Sequence, residues 1–258
     1  MELIHQLTPH LKRLRLSGIL HTLDVRNQQA IDGQWTYTEF LERLLEDEVE
    51  RRAQNQLALR IRRAAIDTTK TLEGFNFNFN PNINRQQVLE LATCTYIHQK
   101  RNVLICGPTG VGKSHLAQAL THAACRRGYR ALFVNTHRML QHINGGRADG
   151  TRERRFRTYI RPDLLVLDDF GLKPLHPPAP NDLYDVISQR YEQGSILLTS
   201  NRDLNEWPDW FGAPLLASAG LDRLTHGANI IVITGDSFRA RGAHHPQEEV
   251  PIDPLNKS

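Results

Sequence analysis

Residues 107–114 read Gly107-Pro108-Thr109-Gly110-Val111-Gly112-Lys113-Ser114. They fit G-x-x-x-x-G-K-[ST], the phosphate-binding Walker A loop. The flanks are those the motif needs. Val103-Leu104-Ile105-Cys106 is a short apolar β-type run, and His115 to Leu120 has helical character. A strand, a glycine-rich turn and a helix N-terminus together aim backbone N–H groups and the positive end of a helix dipole at one place, which suits a triphosphate. On this reading Gly107–Ser114 cradle ATP, Lys113 reaches its β- and γ-phosphates, and the Ser114 hydroxyl binds Mg²⁺.

Downstream of the loop, β-type runs alternate with helical ones. Strands are expected at Val103–Cys106, Ala131–Asn135, Leu164–Asp168, Ile196–Thr199 and Ile230–Ile233. That alternation predicts an α/β fold, a mainly parallel sheet with helices on both faces. Leu164-Leu165-Val166-Leu167 ends in Asp168-Asp169, the form of a Walker B strand. A buried parallel strand tolerates carboxylates only at its C-terminal edge, where ligands bind in such sheets. Asp168 is the metal-side carboxylate and Asp169 the group that orients and activates the attacking water. Thr199-Ser200-Asn201-Arg202 closes another apolar strand, and the Asn201 amide can bond both a phosphate oxygen and a water. Arg223, in Leu221-Asp222-Arg223-Leu224, reads two ways. It is either half of an Asp–Arg surface pair or an arginine finger for a neighbouring subunit, worth about 10³–10⁵ in rate where fingers have been measured.

Upstream, Gln86 to His98 reads as one helix. Residues 67–84 read as an extended linker, because Phe75, Phe77 and Phe79 alternate with amides before Pro81. The phenylalanines either pack on the next domain or line an adenine pocket. Residues 1–66 read as a small helical domain. Leu3, Leu7, Leu11, Leu14 and Leu16 fall near helical spacing, and Gly18 and Gly33 punctuate. Thr36-Tyr37-Thr38-Glu39 is a capping box before a long helix in which Leu41, Leu45, Val49, Ala53, Leu57, Ile61 and Ala65 repeat every fourth residue. Asp47–Arg51 and Glu48–Arg52 are acid-before-base pairs on its surface.

Two stretches concentrate arginine. Arg51, Arg52, Arg60, Arg62 and Arg63 lie on the long helix; Arg138, Arg147, Arg152, Arg154, Arg155 and Arg157 lie between the second and third strands. Each is either a solvated face or a surface for DNA phosphates, which Arg fits well. The formal net charge of +4 on 258 residues leans the same way without deciding it. No apolar run approaches a membrane span, and no secretion signal opens the chain. Cys94, Cys106 and Cys125 form no C-x-x-C and suit a reducing cytoplasm. Cys94 and His98 sit one helical turn apart, but two ligands are too few for a zinc site. Ala243 to Ser258, with three prolines and several charges, reads as a disordered tail.

These motifs in this order resemble the IstB-like ATPases, transposition helper proteins of bacterial insertion sequences. Those proteins are similar to the DnaC-type helicase loaders of the AAA+ superfamily. The resemblance spans roughly residues 1–241 and is sharpest at Asp182–Arg190, Glu206–Ala219 and Gly235–Arg239. It implies an AAA+ core at 85–242 and a cytoplasmic bacterial protein that hydrolyses ATP with Mg²⁺. It also implies a homo-oligomer on double-stranded DNA, formed with little sequence preference, that assists the transposase of the same element. Lys113 and Ser114 take the phosphate and Mg²⁺ roles, Asn201 the first sensor, Arg223 the trans-acting finger and Arg239 the second sensor. The arginine-rich stretch corresponds to the extra helical insertion of initiator-type AAA+ proteins. Asp169 stands where many AAA+ proteins have Glu, which implies slow hydrolysis. Little chain after Ile233 is left for a helical lid, so ATP would be held largely between protomers. The nearest rival is a replicative helicase loader with the same core; a small-molecule kinase and a nucleotide-gated DNA binder without turnover are more distant.

Overall fold

The computed structural model describes residues 2–235, so Arg239 and the tail expected at 243–258 lie outside the described residues. The chain divides into two compact units, Met1–Arg63 and Ala64–Ser258. The first holds α1 (Glu2–Arg13), α2 (Ser17–Asp32) and most of α3 (Tyr37–Ala64). The capping box forms at the start of α3: the Thr36 N–H donates to Glu39 Oε2 at 2.8 Å and the Glu39 N–H to Thr36 Oγ1 at 3.2 Å.

The core of this unit differs from the expected stripe. Ile19, Leu23 and Leu44 are buried, with Leu11, Leu16 and Phe40 against them. Leu41, Leu45 and Val49 are exposed. Glu48 turns inward instead, accepting from the Gly18 N–H at 2.6 Å and from Arg52 Nε at 2.7 Å. Gly18 is therefore not punctuation but a close approach of α2 to α3: a Cβ there would lie 2.6 Å from Glu48 Cα. The expected Asp47–Arg51 pair gives way to Arg26, whose planar fork takes Asp47 through Nε at 2.9 Å and Nη2 at 2.7 Å.

In the second unit five parallel strands run in the order β2-β3-β4-β1-β5: β1 (Val103–Cys106), β2 (Ala131–Asn135), β3 (Leu164–Phe170), β4 (Ser195–Ser200) and β5 (Asn229–Val232). Buried alternation sorts the faces. Leu104, Cys106, Leu165, Leu167, Ile196 and Leu198 join one apolar cluster with side chains from α7 (Thr136–Gly145), α8 (Arg152–Ile160), α9 (Ala179–Arg190), α10 (Trp207–Phe211) and α11 (Pro214–Thr225). Val103, Ile105, Val166 and Leu197, also buried, alternate with them, and α6 (Lys113–Arg126) packs on β1 to β4.

Two expectations fail upstream of β1. The helix drawn from Gln86 to His98 is broken into α4 (Arg85–Leu91) and α5 (Thr95–His98), because Cys94 takes left-handed backbone at φ 62°. Residues 67–84 are not a spacer. They belong to the second unit and are tied to it by Gln118 Oε1 accepting from the Asp67 N–H, by an Arg126–Glu73 ion pair of 2.6 Å, and by Asn80 Nδ2 donating to the Thr234 carbonyl. Phe77–Phe79 form a 3₁₀ turn, so the expected alternation of an extended strand is absent.

Arg190, at the end of α9, is 1% exposed. Its Nη1 donates to the carbonyls of Tyr159, Ile160 and Pro162, and its Nη2 to those of Asp163 and Ser195. The carbonyls terminate α8 and lead into β3 and β4; those of Tyr159 and Ile160 are the groups a helix end leaves unpaired, while that of Asp163 also accepts from the Ser195 N–H. Burial draws the Arg190 pKa down to about 10, so the side chain stays charged at neutral pH. Arg190→Met should destabilise the second unit by about 3 kcal/mol or more, since a cluster of buried and half-buried carbonyls loses its shared donor. The urea midpoint of the full chain measures this, and a midpoint equal to wild type would contradict the role.

Candidate functional site

The loop after β1 is shaped by its glycines. Gly107 sits at φ +150°, and a Cβ there would lie 2.0 Å from the Ile233 carbonyl oxygen after β5. Gly112, at φ +97°, precedes the first turn of α6 and meets the Phe75 ring, 3.3 Å from where a Cβ would stand. Only glycine gives this backbone without strain. Lys113 Nζ donates to the Gly107 and Pro108 carbonyls, each at 2.7 Å, which holds the ammonium in the mouth of the loop.

Three strand tips converge on this mouth. Ser114 Oγ donates to Asp168 Oδ1 at 2.8 Å, and Thr199 Oγ1 donates to the same oxygen at 2.5 Å. The Asp169 N–H in turn donates to Thr199 Oγ1 at 3.1 Å. In a regular strand Asp168 and Asp169 would face opposite sides of the sheet. Here the β3–β4 register slips between Leu167 and Phe170, and Asp169 has φ 56°. The bulge keeps both carboxylates at one edge. Asn135, last in β2, donates from Nδ2 to Asp169 Oδ2 at 2.9 Å, while its Oδ1 accepts from the His137 and Arg138 N–H groups and caps α7.

A cavity of about 670 Å³ opens there, lined by Thr109 to His115, Asp169, Leu172, Asn201 and residues of the 67–84 stretch, Phe75 and Phe79 among them. Ligand pockets run to about 300–1,000 Å³, so a nucleotide fits. The phenylalanine-amide stretch therefore helps wall this pocket. Phe75 meets the His115 ring edge to face at 5.1 Å. Burial, then the charge of Lys70, pushes the His115 pKa down, and its buried Nε2 has no hydrogen-bond partner. For Mg²⁺ the chain offers a hydroxyl and a carboxylate, Ser114 and Asp168, already in contact. Hard oxygen donors in small number suit an ion that keeps several waters.

The sequence reading named Lys113, Ser114, Asp168, Asp169 and Asn201, and the structure gathers all five. It missed Thr199, Asn135, His115 and Gln118. The signal for the first two was available: each is a polar residue at the C-terminal end of a parallel strand, where such sheets bind ligands. His115 and Gln118 carry no such mark.

Arg223 stands elsewhere. Its Nη1 donates to the Tyr184 hydroxyl at 2.6 Å, and its guanidinium lies 5.2 Å over the Tyr184 ring. The Arg223 and Leu224 carbonyls accept from Asn102, which precedes β1, whereas the P-loop follows it. A four-residue strand spans about 13 Å. Arg223 is thus anchored at the opposite edge of the sheet from its own P-loop.

The arginine-rich stretch is partly structural. Arg147 and Arg152 both clamp Asp182, whose carboxylate is wholly buried, at 2.6 Å each. Burial works to raise the Asp182 pKa, but the two guanidiniums outweigh it and hold it below the ordinary carboxylate range. Arg152 also pairs with Asp185, Arg155 with Asp149 and Arg157 with Glu153. On α3, Arg52 is held by Glu48 and Arg60 is half-buried. Arg147 and Arg152 are thus neither a solvated face nor a DNA surface but partners of a buried carboxylate, which would be very costly to leave without its cations. Arg51, Arg62, Arg63, Arg138 and Arg154 are exposed.

Compared with known proteins, the chain matches the family described as IstB-like ATP binding protein over residues 9–245. The chain belongs to that family. It is 41% identical over 232 residues to an insertion-sequence ATP-binding protein of Mycobacterium tuberculosis, covering 90% of this chain and 92% of the relative. It is 34% identical over 238 residues to the IS21 ATP-binding protein of Pseudomonas aeruginosa, covering 92% and 90%. The fold is that of P-loop AAA+ proteins. The DnaC helicase loader superposes with TM-score 0.54 at 20% identity over 64% of this chain and 97% of that one. AMPPCP-bound DnaA from Aquifex aeolicus gives 0.56 at 24% over 67%, and the chain spans about half (52%) of that protein's length. Among the described residues no helix is long and apolar enough to cross a membrane.

Thr199→Val keeps the side-chain shape and removes the hydroxyl between Asp168 and Asp169. Mg²⁺-dependent binding of a fluorescent ATP analogue should weaken about 10–100-fold, the usual loss when a group orienting a metal ligand is removed. An unchanged Mg²⁺ titration would count against this network.

Proposed function

We propose that this chain is an ATP-hydrolysing, DNA-binding AAA+ protein that assembles on duplex DNA and assists the transposase of its insertion sequence. The observation that carries the reading is the placement of Arg223 at the sheet edge opposite the P-loop. An arginine there serves a second copy's nucleotide, so each complete site joins two protomers and ATP becomes part of the contact. The helicase-loader alternative shares this ATPase core and differs in its partner; finding a transposase gene beside this one would favour the transposition role, and finding none the loader.

The P-loop N–H groups and Lys113 bind the triphosphate, and Asn201 reaches the γ-phosphate from the tip of β4. Ser114 and Asp168 would hold Mg²⁺, which would supply charge neutralisation for the triphosphate. Asp169 orients the attacking water and accepts its proton. Its side chain is one methylene shorter than Glu and is also bonded to Asn135, and both features slow turnover. Arg138 and Arg154, exposed on α7 and α8, with Arg51, Arg62 and Arg63 on α3, contact DNA phosphates. Phosphate contacts carry no base sequence, in keeping with broad target choice.

Lys113→Ala should abolish ATP binding, measured by equilibrium titration. Arg223→Ala and Asp169→Asn should each lose hydrolysis, and an equimolar mixture should regain part of it, because some mixed sites hold both intact residues. A mixture as inactive as either variant would sink the shared site. Affinity for duplex DNA should fall steeply with salt, and Arg138→Ala/Arg154→Ala should flatten that slope by about two counterions. A slope equal to wild type would remove these two residues from the interface.

A further inference from the structure

A second cavity, of about 230 Å³, opens at the N-terminal edge of the sheet. Its position follows from its walls: Asn102 precedes β1, Ile196 opens β4 and Gly227 precedes β5. The charges around it are one-sided. Lys100, Arg101, Arg190 and Arg223 bring four cations, His226 a titratable ring and Glu192 a single carboxylate. Asp163, whose charge also reaches Lys100 and Arg190, is paired with Arg130 at 2.8 Å. Among the described residues no ion pair joins Lys100, Arg101, Arg190 or Arg223 to a carboxylate.

Arg190 adds an independent sign. Its Nη1 and Nη2 are consumed by five carbonyls, but its buried Nε has no hydrogen-bond partner. The side chain carries a charge that carbonyl dipoles solvate; the Asp163 carboxylate offsets it only through space, without an ion pair. A buried donor without an acceptor is costly, and a buried cation beside a cavity leaves positive potential in it.

We infer that this cavity binds a phosphate group. Its volume lies below the usual range for whole nucleotides and admits a single tetrahedral anion. Arginine forks match phosphate oxygens, and charge-assisted bonds of this kind are the strong ones. Two sources share the chemistry. One is the γ-phosphate of ATP held by a second copy, which rests on the shared-site reading and would surround that phosphate with Lys100 and Arg101 besides Arg223. The other is free phosphate, independent of that reading.

Both sources are tested with the full chain. Lys100 and Arg101 are exposed, so replacing them leaves the core intact. Lys100 has φ 58°, which asparagine tolerates. Inorganic phosphate is titrated by calorimetry into wild type, Lys113→Ala and Lys100→Asn/Arg101→Gln. Binding should persist in Lys113→Ala and be about tenfold weaker in the double variant. The same proteins are then sized on duplex DNA with a non-hydrolysable ATP analogue. A double variant that binds the analogue normally but no longer assembles identifies the neighbour's γ-phosphate. Weakened phosphate binding with normal assembly identifies the free anion. If phosphate affinity and assembly both match wild type in the double variant, the inference is overturned. Failure of the Arg223 and Asp169 mixture to regain hydrolysis, alongside lost phosphate binding, would remove the shared site and leave this one standing.

Discussion

The Asp168 carboxylate is the joint on which the nucleotide site depends. It receives hydrogen bonds from Ser114 at the start of α6 and from Thr199 near the end of β4, while its own residue belongs to β3. One acidic oxygen thereby fixes three segments that are distant in sequence. Two hydroxyl donors aimed at one oxygen also fix the orientation of the carboxylate. The Asp169 N–H joins the same Thr199 oxygen, so one hydroxyl positions both residues of the acidic pair.

Asn135 extends this joint beyond the pocket. One end of its amide holds Asp169 and the other caps α7, the helix that carries Arg138. A rigid three-centre link of this kind makes the geometry of Asp169 depend on the position of α7. The 67–84 stretch does something similar on the far wall, where Phe75 closes over Gly112 and the chain is pinned to Arg126, Gln118 and Thr234. The pocket is thus assembled from segments that the core alone does not hold.

Arginine in this protein serves two physical ends. Arg147 and Arg152 neutralise a buried Asp182, and Arg190 solvates a knot of backbone carbonyls, so the density of arginine between β2 and β4 is in good part internal scaffolding. Composition cannot separate these from arginines that meet phosphate, because both uses draw on the same planar fork of donors. Burial separates them: Asp182 is inaccessible, whereas Arg138 and Arg154 are exposed.

The sequence by itself determined the strands, the P-loop, the acidic pair and the polar tip at Asn201, since each is written in contiguous residues whose period or spacing has one physical meaning. It also carried the family, through motifs in fixed order. It misplaced the inward face of α3 because every-fourth spacing does not say which side finds a partner, and Gly18 lets α2 approach Glu48 rather than Leu45. Thr199 and Asn135 were visible as polar strand ends, but only the fold brought them against the acidic pair, set residues 67–84 as a wall of the pocket, and put Arg223 at the opposite edge of the sheet. Those facts come from the order in which parallel strands sit side by side, β2-β3-β4-β1-β5. That order is set by long-range pairing and burial, which no local stretch of residues encodes.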